Sequence, residues 1–428
     1  MSKTIPGSKL VDRSKKFFSG LASLARTTGL IVRRSSKFSA EGFVLGVMKA
    51  VLTGKASFNE LAMNLEHSES ETLTRQALHQ RVDKNAVSFM ICATGQAIKA
   101  RWDDQPLIPT KKFNRIIIED SSQAKTDKAN AVDFPAHGNG KGMTAGCKID
   151  LAFDLLTGEP ISEALHLATE QDRAIGKDLV DRVKPGDLIL RDMGYFSLAE
   201  FLRIESQRAF WLSRLPVNVK ACNPEGRKLE TILRTAKAGK IDLPMCIGEV
   251  CHPARLIAVR AAPEVSRERR RLRREQAKQL GKQPDKDMLT RDGWHIIITN
   301  VGEELMKTTE LFKLYSVRWQ IEIIFRGWKQ SGGLVKALAR RSNPFPLETL
   351  MYGAILLLIL TMKTASLLRK AHPQRQLSIE KTFQSFAIFI VSINSLYLIA
   401  RYNPDPRLLQ MDKRSRKSLH QTALECLG

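Results

Sequence analysis

The chain has 428 residues, enough for two or three domains with cores of their own. Its composition is that of a globular protein, which excludes a chain that is disordered throughout, and 68 Lys and Arg against 44 Asp and Glu give a net charge of +24 and a pI near 9.9. Because the basic residues are clustered, this charge favours a polyanionic partner, first of all nucleic acid. The alternative is that the charge only keeps the chain soluble.

The N-terminal segment, residues 1–40, is interpreted as a cytosolic basic arm. It holds nine Lys or Arg residues and one acid, and it lacks the apolar core and small-residue cleavage site of a secretory signal. The longest apolar run, Leu350–Leu360, is shorter than the roughly 18 to 20 residues that span a bilayer, and Glu348 and Lys363 flank it. We therefore expect a buried core helix there and no membrane partner.

The six cysteines are scattered along a chain without a secretion signal, which argues against a disulfide framework. The closest group is Cys246, Cys251 and His252. Because no second pair of ligands lies nearby, ordinary structural thiols are favoured over a zinc site.

The segment from Phe38 to about Arg101 has helical periodicity. In "SFNELAMNL", Ser57 precedes Glu60 by three residues, a capping-box pattern. A second short helix is predicted near Thr72–Val82, and its polar residues include Arg75, Gln76, His79, Gln80 and Arg81. The pair resembles a helix-turn-helix whose second helix enters a major groove. A purely structural helical bundle is the alternative.

A change of period at Lys112 marks the start of an α/β region. "RIIIEDSS" predicts a strand that ends in two acids, and "CKIDLAFDLLTGEP" with "ISEALHLA" predicts two strands joined by a turn at Thr157–Pro160. The remaining elements in chain order are a helix over Asp172–Val183, the strand "DLILRDMGYF" with Asp192 near its end, a helix capped by Ser197 with Glu200 three residues on, and the strand "AFWLSRL". This is the element order of a ribonuclease-H-like α/β fold.

Residues 216–301 interrupt this order with strand-like runs and a strongly charged stretch, Ser266–Lys286. The stretch suits an exposed helix or basic arm that contacts DNA, and a solvated hairpin tip is the alternative. Helices follow to the C-terminus. The predicted organisation is a basic arm (1–40), a helical DNA-binding domain (41–110), a ribonuclease-H-like core (111–215 and 302–341) with a β-rich insertion (216–301), and a helical C-terminal region (342–428).

The segment "YSVRWQIEIIFRGWKQ", Tyr315–Gln330, is predicted to form one amphipathic helix. At roughly 100° per residue, five polar side chains fall within an arc of about 80° on one face: Tyr315, Arg318, Glu322, Arg326 and Lys329. One carboxylate among cations suits metal chemistry on a phosphodiester that the cations hold. The alternative is a row of surface pairs such as Arg318 with Glu322.

The spacing YxxRxxxExxxxxxK, which Tyr315, Arg318, Glu322 and Lys329 match at every gap, resembles the signature of bacterial insertion-sequence transposases of the IS-four family. "IEDSSQ" resembles the block around the first catalytic Asp of that family, and "LRDMGYFS" resembles the block around the second. The β-rich insertion before the Glu is also a family trait, so the resemblance covers most of the chain. Arg326 joins the four signature residues only by helix geometry.

The resemblance implies that Asp120, Asp192 and Glu322 are catalytic and hold two Mg²⁺ ions, for which Mn²⁺ can substitute. Two such ions about 3.5 to 4 Å apart can activate an attacking oxygen and stabilise a leaving one, and Mg²⁺ prefers carboxylate and water ligands. Asp120 takes the family position after the apolar run. Glu119 is expected on the other side of the strand.

The resemblance also implies that Tyr315, Arg318 and Lys329 bind DNA phosphates, with forked contacts from Arg and a point charge from Lys. Arg326 is expected to join them from the same helix face. No residue is identified that would stack on DNA bases, since three candidates can simply pack: Trp294, Trp319 and Trp328.

These expectations describe a transposase that binds the terminal inverted repeats of its insertion sequence, cuts double-stranded DNA at the ends and joins the 3′-hydroxyls to target DNA. The family implies a homodimer on paired ends and a bacterial, cytoplasmic protein that associates with the nucleoid when bound to DNA. The alternatives are a catalytically inactive DNA-binding regulator derived from a transposase and a structure-specific nuclease on the same fold. The intact acids and signature favour the transposase.

Overall fold

The computed structural model describes residues 7–33, 37–69, 74–102, 106–138, 144–330, 337–338, 343–411 and 419–427, with backbone alone for 7–16, 66–69 and 400. The chain divides into two compact units. The first unit comprises Met1–Ile108, Asp120–Glu170 and Trp319–Ser418, and the second comprises Pro109–Glu119, Gln171–Arg318 and Leu419–Gly428.

The described helices in chain order are α1 (Gly7–Thr27), α2 (Ala40–Thr53), α3 (Phe58–Glu69), α4 (Arg75–Arg81), α5 (Lys84–Lys99), α6 (Asp172–Ile175), α7 (Lys177–Val180), α8 (Leu198–Ser206), α9 (Leu229–Thr235), α10 (Pro263–Gln279), α11 (Lys286–Arg291), α12 (Thr308–Val317), α13 (Gln320–Gln330), α14 (Pro344–Ala371), α15 (Ile379–Ser392) and α16 (Leu419–Leu427). The strands are β1 (Ile116–Thr126), β2 (Pro135–Ala136), β3 (Thr144–Asp154), β4 (Pro160–Leu167), β5 (Leu188–Arg191), β6 (Phe210–Arg214), β7 (Ala221–Cys222), β8 (Lys240–Ile247), β9 (His252–Arg260) and β10 (Trp294–Thr299). Short 3-10 turns lie at Lys128–Asn130, Met193–Tyr195 and Leu396–Arg401.

The strands form a mixed sheet in the order β2-β3-β1-β5-β6-β10-β9-β8-β7, with β4 paired to β3. β5 runs parallel to both β1 and β6, whereas β3 and β4 form the predicted antiparallel hairpin. Ile116, Ile117 and Ile118 are fully buried, as expected for a continuous apolar run in a strand covered on both faces. The predicted α/β fold class with a ribonuclease-H-like core is confirmed.

Two helices at the N-terminal side begin at capping residues, of which the sequence predicted Ser57. The Ser57 hydroxyl accepts a hydrogen bond from the Glu60 amide at the start of α3, and Thr74 caps α4 in the same way. α4 buries Leu78 and exposes most of its polar side chains. The predicted helix pair is therefore present, while residues 70–73, which join the two helices, lie outside the described part of the chain.

The predicted helix over Asp172–Val183 is wrong in its length, because α6 and α7 are separate single turns that meet at Gly176. A Cβ at Gly176 would lie 2.6 Å from the Tyr195 ring, so this close approach requires glycine. The Gly176 carbonyl accepts a hydrogen bond from the Arg191 guanidinium, which replaces a helical partner.

The insertion extends the sheet, since β10 pairs antiparallel with β6, and β9 and β8 follow. Its charged stretch begins as α10, with Pro263 in the first turn, where proline costs no helical hydrogen bond. Most of its side chains are exposed. The exposed-helix prediction is confirmed. The stretch also lies between β9 and β10, which pair antiparallel, so the structure agrees with a solvated hairpin tip as well, and its contact with DNA stays a prediction.

Cys246 and Cys251 form a disulfide, so the expectation of ordinary thiols is wrong at these two positions. The tight connection between β8 and β9 brings their Cα atoms to 4.4 Å, within the range that a disulfide bridges. Spacing along the sequence does not reveal this approach, because it depends on the antiparallel pairing of the two strands.

Among the described residues, α14 is a helix whose length and composition would allow it to cross a membrane. However, 83% of its most apolar 18-residue stretch is buried inside the protein. The run Leu350–Leu360 lies in this buried part, apart from Tyr352, which is half-buried. The predicted core helix is confirmed.

Candidate active site

The two acids of β1 differ in their surroundings. The Glu119 side chain is fully buried, and its Oε2 lies 2.7 Å from Nε of Arg191, the residue opposite it on β5. Asp120 is half-buried, and its Oδ1 accepts a hydrogen bond from the Ser121 amide at 2.8 Å. Successive side chains of a strand point to opposite faces. The two side chains therefore lie in different surroundings, and the choice of Asp120 over Glu119 as the catalytic acid stays a prediction.

Asp192 follows β5 directly, and its carbonyl accepts a hydrogen bond from the Tyr195 amide in the 3-10 turn. Its side chain is 36% exposed, and Oδ1 lies 3.7 Å from an Arg318 guanidinium nitrogen. The structure thus brings one signature cation next to the second predicted acid within the second unit.

Tyr315 is half-buried, and its hydroxyl donates a hydrogen bond to the Arg191 carbonyl at 3.2 Å. Burial raises the pKa of Tyr315, which the nearby Arg318 partly offsets. The hydroxyl is therefore a neutral donor that holds the last residue of β5. Its predicted contact with a DNA phosphate stays a prediction.

The prediction of one continuous helix over Tyr315–Gln330 is wrong. α12 ends at Val317 and α13 begins at Gln320. The Arg318 amide donates to the Tyr315 carbonyl, three residues back instead of four, a tightening common at helix ends. The arc of about 80° assumed one helix over the whole segment, so it does not describe the positions of Tyr315 and Arg318 relative to the residues of α13.

Three of the predicted residues still share one face of α13. Glu322, Arg326 and Lys329 fall within an arc of about 60° at roughly 100° per residue. Lys329 Nζ donates to the Gln123 carbonyl of β1 at 2.7 Å, three residues beyond Asp120. Burial lowers the pKa of Lys329. Arg326 is exposed and lies 3.6 Å from Glu380 of α15, so part of its charge is compensated within the first unit.

Asp120 and Glu322 belong to the first unit and Asp192 to the second. Within the described ranges, no group of three or more His, Cys, Asp or Glu side chains is placed to hold a metal ion. The donor set itself fits Mg²⁺ or Mn²⁺ chemically, because all three side chains are carboxylates, the hard oxygen ligands that these ions prefer. Their role as ligands stays a prediction.

The three tryptophans have different environments. Trp328 is buried and donates to the Ala354 carbonyl at 2.9 Å, and Trp294 is buried beneath the Arg260 guanidinium at 4.5 Å. Trp319 is 48% exposed. Two of the three therefore pack, as the sequence allowed, and Trp319 is accessible.

The insertion contains an open cleft of about 470 Å³ that the sequence did not predict. Four arginines line it: Arg214, Arg269, Arg273 and Arg291. Arg273 is paired with Asp292 and Arg291 with Glu230. Burial, and secondly the charge of Arg214 in the same cleft, lower the pKa of Arg269. The sequence offered one signal for this cleft: Arg214 is a charged residue at the end of the buried strand β6.

Comparison with known proteins gives a consistent set of relatives. The family model described as Transposase DDE domain matches residues 111–359. The chain is 26% identical over 334 residues to the transposase for insertion sequence element IS231B of Bacillus thuringiensis subsp. berliner, covering 72% of this chain and 70% of that protein. It is 28% identical over 335 residues to the IS231C transposase from the same organism, with the same coverage.

Two further proteins are more distant. The transposase for insertion sequence element IS1151 of Clostridium perfringens is 25% identical over 365 residues, covering 79% of this chain and 76% of that protein. A cryo-EM structure of a piggyBac transposase synaptic complex with hairpin DNA covers 100% of this chain and 86% of that chain, at 10% identity and a TM-score of 0.48.

Proposed function

Because this chain belongs to the Transposase DDE domain family and is a DDE transposase, we propose that it binds the terminal inverted repeats of a bacterial insertion sequence of the IS-four type and moves that element by cutting and pasting. Water attacks the phosphodiester at each end, the P–O3′ bond breaks, and a 3′-hydroxyl is released. That hydroxyl then attacks a phosphodiester of the target DNA and displaces its 3′-oxygen.

Asp120, Asp192 and Glu322 are the residues that would hold the divalent ions. When bound, two Mg²⁺ or Mn²⁺ ions lower the pKa of the attacking hydroxyl or water and stabilise the leaving oxygen. Arg318, close to Asp192, would keep the reacting phosphate beside that carboxylate. Its fork of donors suits two phosphate oxygens at once.

The remaining DNA contacts are assigned to cations and to the N-terminal helices. Lys329 and Arg326 on α13 are proposed to hold the backbone near the transposon end. The exposed polar face of α4 is proposed to read the terminal repeat in a major groove. The cleft beside α10, with Arg214 and Arg269, is a further place where a phosphate would neutralise adjacent cations.

A homodimer on paired ends is proposed as the active form, because two ends must be cut and joined together. A bacterial cytoplasmic location with nucleoid association follows from the same proposal, since the substrate is chromosomal DNA. Sedimentation of the protein with and without end DNA tests the dimer. A complex with one protein chain per pair of ends would contradict it.

The observation that carries the proposal is the family match over residues 111–359, which include all three acids and the full YxxRxxxExxxxxxK spacing. Replacement of Asp120, Asp192 or Glu322 by Ala is expected to abolish Mg²⁺-dependent nicking of end DNA and to leave binding nearly unchanged. Asp133→Ala, which removes an exposed acid, is the matched control. Full cleavage by the Glu322→Ala protein would contradict the assignment of Glu322 as a catalytic acid.

A further inference from the structure

A buried ion pair lies directly before Asp192, and no signature residue accounts for it. We propose that Glu119, Arg191 and Tyr315 form a frame that positions the Asp192 carboxylate for catalysis. The three are positioning residues, because in this proposal they act through Asp192 and do not contact the reacting phosphate themselves. The inference rests on the proposed function in one respect, that Asp192 is catalytic.

The Arg191 side chain contacts three segments that lie next to the end of β5. Its Nε lies 2.7 Å from Glu119 Oε2, and the two side chains are 1% and 0% exposed. Its terminal nitrogen donates to the Gly176 carbonyl, between α6 and α7. Its guanidinium also lies 5.8 Å from the centroid of the Tyr195 ring, in the turn that Asp192 begins. One side chain thus links β1, the α6–α7 junction and the turn.

The Arg191 backbone is held as firmly as its side chain. It is in register with Glu119 on one side and with Ser213 of β6 on the other. Its carbonyl accepts the Tyr315 hydroxyl from α12 at 3.2 Å. Asp192 is the next residue, and its Oδ1 lies 3.7 Å from Arg318. Rotation or translation at Arg191 would therefore displace the carboxylate directly.

Stability alone does not explain a fully buried ion pair. Removing two charges from water is costly, and replacing such a pair by apolar residues of similar volume is often neutral or stabilising. Removing one partner leaves an uncompensated buried charge and is strongly destabilising. If the Glu119–Arg191 pair serves to position Asp192, removal of both charges should preserve the fold and slow the reaction.

The main experiment uses the full-length Glu119→Leu/Arg191→Met double variant. We expect a folded protein with end-DNA affinity unchanged, a KM unchanged, and a kcat for Mg²⁺-dependent nicking lower by about 10- to 100-fold, the effect of a displacement of about 1 Å. We also expect weaker Mn²⁺ binding, followed by the electron paramagnetic resonance of the free ion without DNA. Wild-type kcat together with wild-type Mn²⁺ affinity would overturn the frame.

Tyr315→Phe is the second variant, and it keeps the inference testable if the double variant does not fold. It removes one hydroxyl and retains the ring. The frame predicts a lower kcat with an unchanged KM, because the Arg191 carbonyl loses its partner. A higher KM with an unchanged kcat would show that Tyr315 contacts the DNA instead, and would overturn its role in the frame.

Two controls separate this inference from the proposed function. Arg255→Met/Asp242→Leu removes another ion pair of the second unit, with side chains 12% and 23% exposed, and is expected to leave kcat unchanged. Asp192→Ala is measured in parallel. Normal nicking by Asp192→Ala rejects the proposed active site, whereas an inactive Asp192→Ala beside a fully active double variant rejects the frame alone.

Discussion

At the scale of single residues, Lys329 shows how burial tunes a cation. Its ammonium group donates to the Gln123 carbonyl at 2.7 Å, and it is half-buried. Burial penalises the charged form and so lowers the pKa of Lys329. A phosphate of DNA at this position would raise the pKa of Lys329 again, because the anion favours the protonated ammonium.

This state predicts a pH-dependent contact. As pH rises from neutral towards 10.5, the ordinary pKa of lysine, Lys329 loses its proton before exposed lysines do, so end-DNA affinity should fall. Lys329→Arg should remove this decline, and Lys329→Ala should lower the slope of log affinity against log salt by about 0.9, one phosphate contact. Fluorescence anisotropy measures both effects. Lys220→Ala, which removes an exposed partner of Glu249, is the control, and an unchanged slope in Lys329→Ala would contradict the contact.

At the scale of elements, α10 is the most strongly charged helix of the second unit. It carries seven Lys and Arg and three Glu. Arg271 pairs with Glu268 and Glu275 along the helix, whereas Arg270, Arg274 and Lys278 follow one another at i, i+4 spacing. Like charges at this spacing destabilise a helix by about 0.2–0.5 kcal/mol per pair. A polyanion along this row would relieve that repulsion.

The double variant Arg274→Ala/Lys278→Ala tests whether the helix binds DNA. Both residues are exposed, so the fold should be retained. If each neutralises one phosphate, the slope of log affinity against log salt should fall by about 1.8. Gln279→Ala on the same exposed helix is the matched control. A wild-type salt dependence in the double variant would favour the alternative that these charges only solvate the surface.

At the scale of the whole molecule, one buried ion pair joins segments of the first unit that are distant in sequence. Lys363 of α14 is fully buried, and it pairs with Glu159 at the β3–β4 turn and donates to the Ala100 carbonyl at 2.9 Å. Burial lowers the pKa of Lys363, and Glu159 partly restores it. The apolar helix α14 therefore carries a charge that the surrounding protein compensates.

Lys363→Met should destabilise the first unit by about 3–5 kcal/mol, because it leaves the Glu159 carboxylate buried without its cation. Lys363→Met/Glu159→Met should recover most of that loss, since both charges are removed together. Urea unfolding followed by circular dichroism provides the free energies. Equal destabilisation by the single and double variants would show that packing, and not the unpaired charge, dominates at this site.

Local patterns account for the parts of the fold that were predicted correctly. The β-branched run before Asp120 forms a strand because such side chains fit a doubly covered sheet, and Ser57 and Ser197 cap helices because their hydroxyls accept from amides three residues on. Each of these outcomes depends on neighbours within one turn or one strand.

Contacts between distant residues account for the errors. The break at Arg318, the interruption at Gly176 and the Cys246–Cys251 disulfide all depend on where other elements pack. Periodicity assumes an uninterrupted helix, so it extended one helix from Tyr315 to Gln330 across a break that it could not detect.

The sequence by itself determined the DDE transposase family and the order of most strands and helices, because these follow from residue type and spacing along the chain. Tertiary structure alone decided that Glu119 faces Arg191, that the Tyr315 hydroxyl holds the Arg191 carbonyl, and that Arg214 and Arg269 share a cleft. The physical reason is that hydrogen bonds and charge interactions act over a few ångströms in space, and the distances between these groups are set by strand register and helix packing.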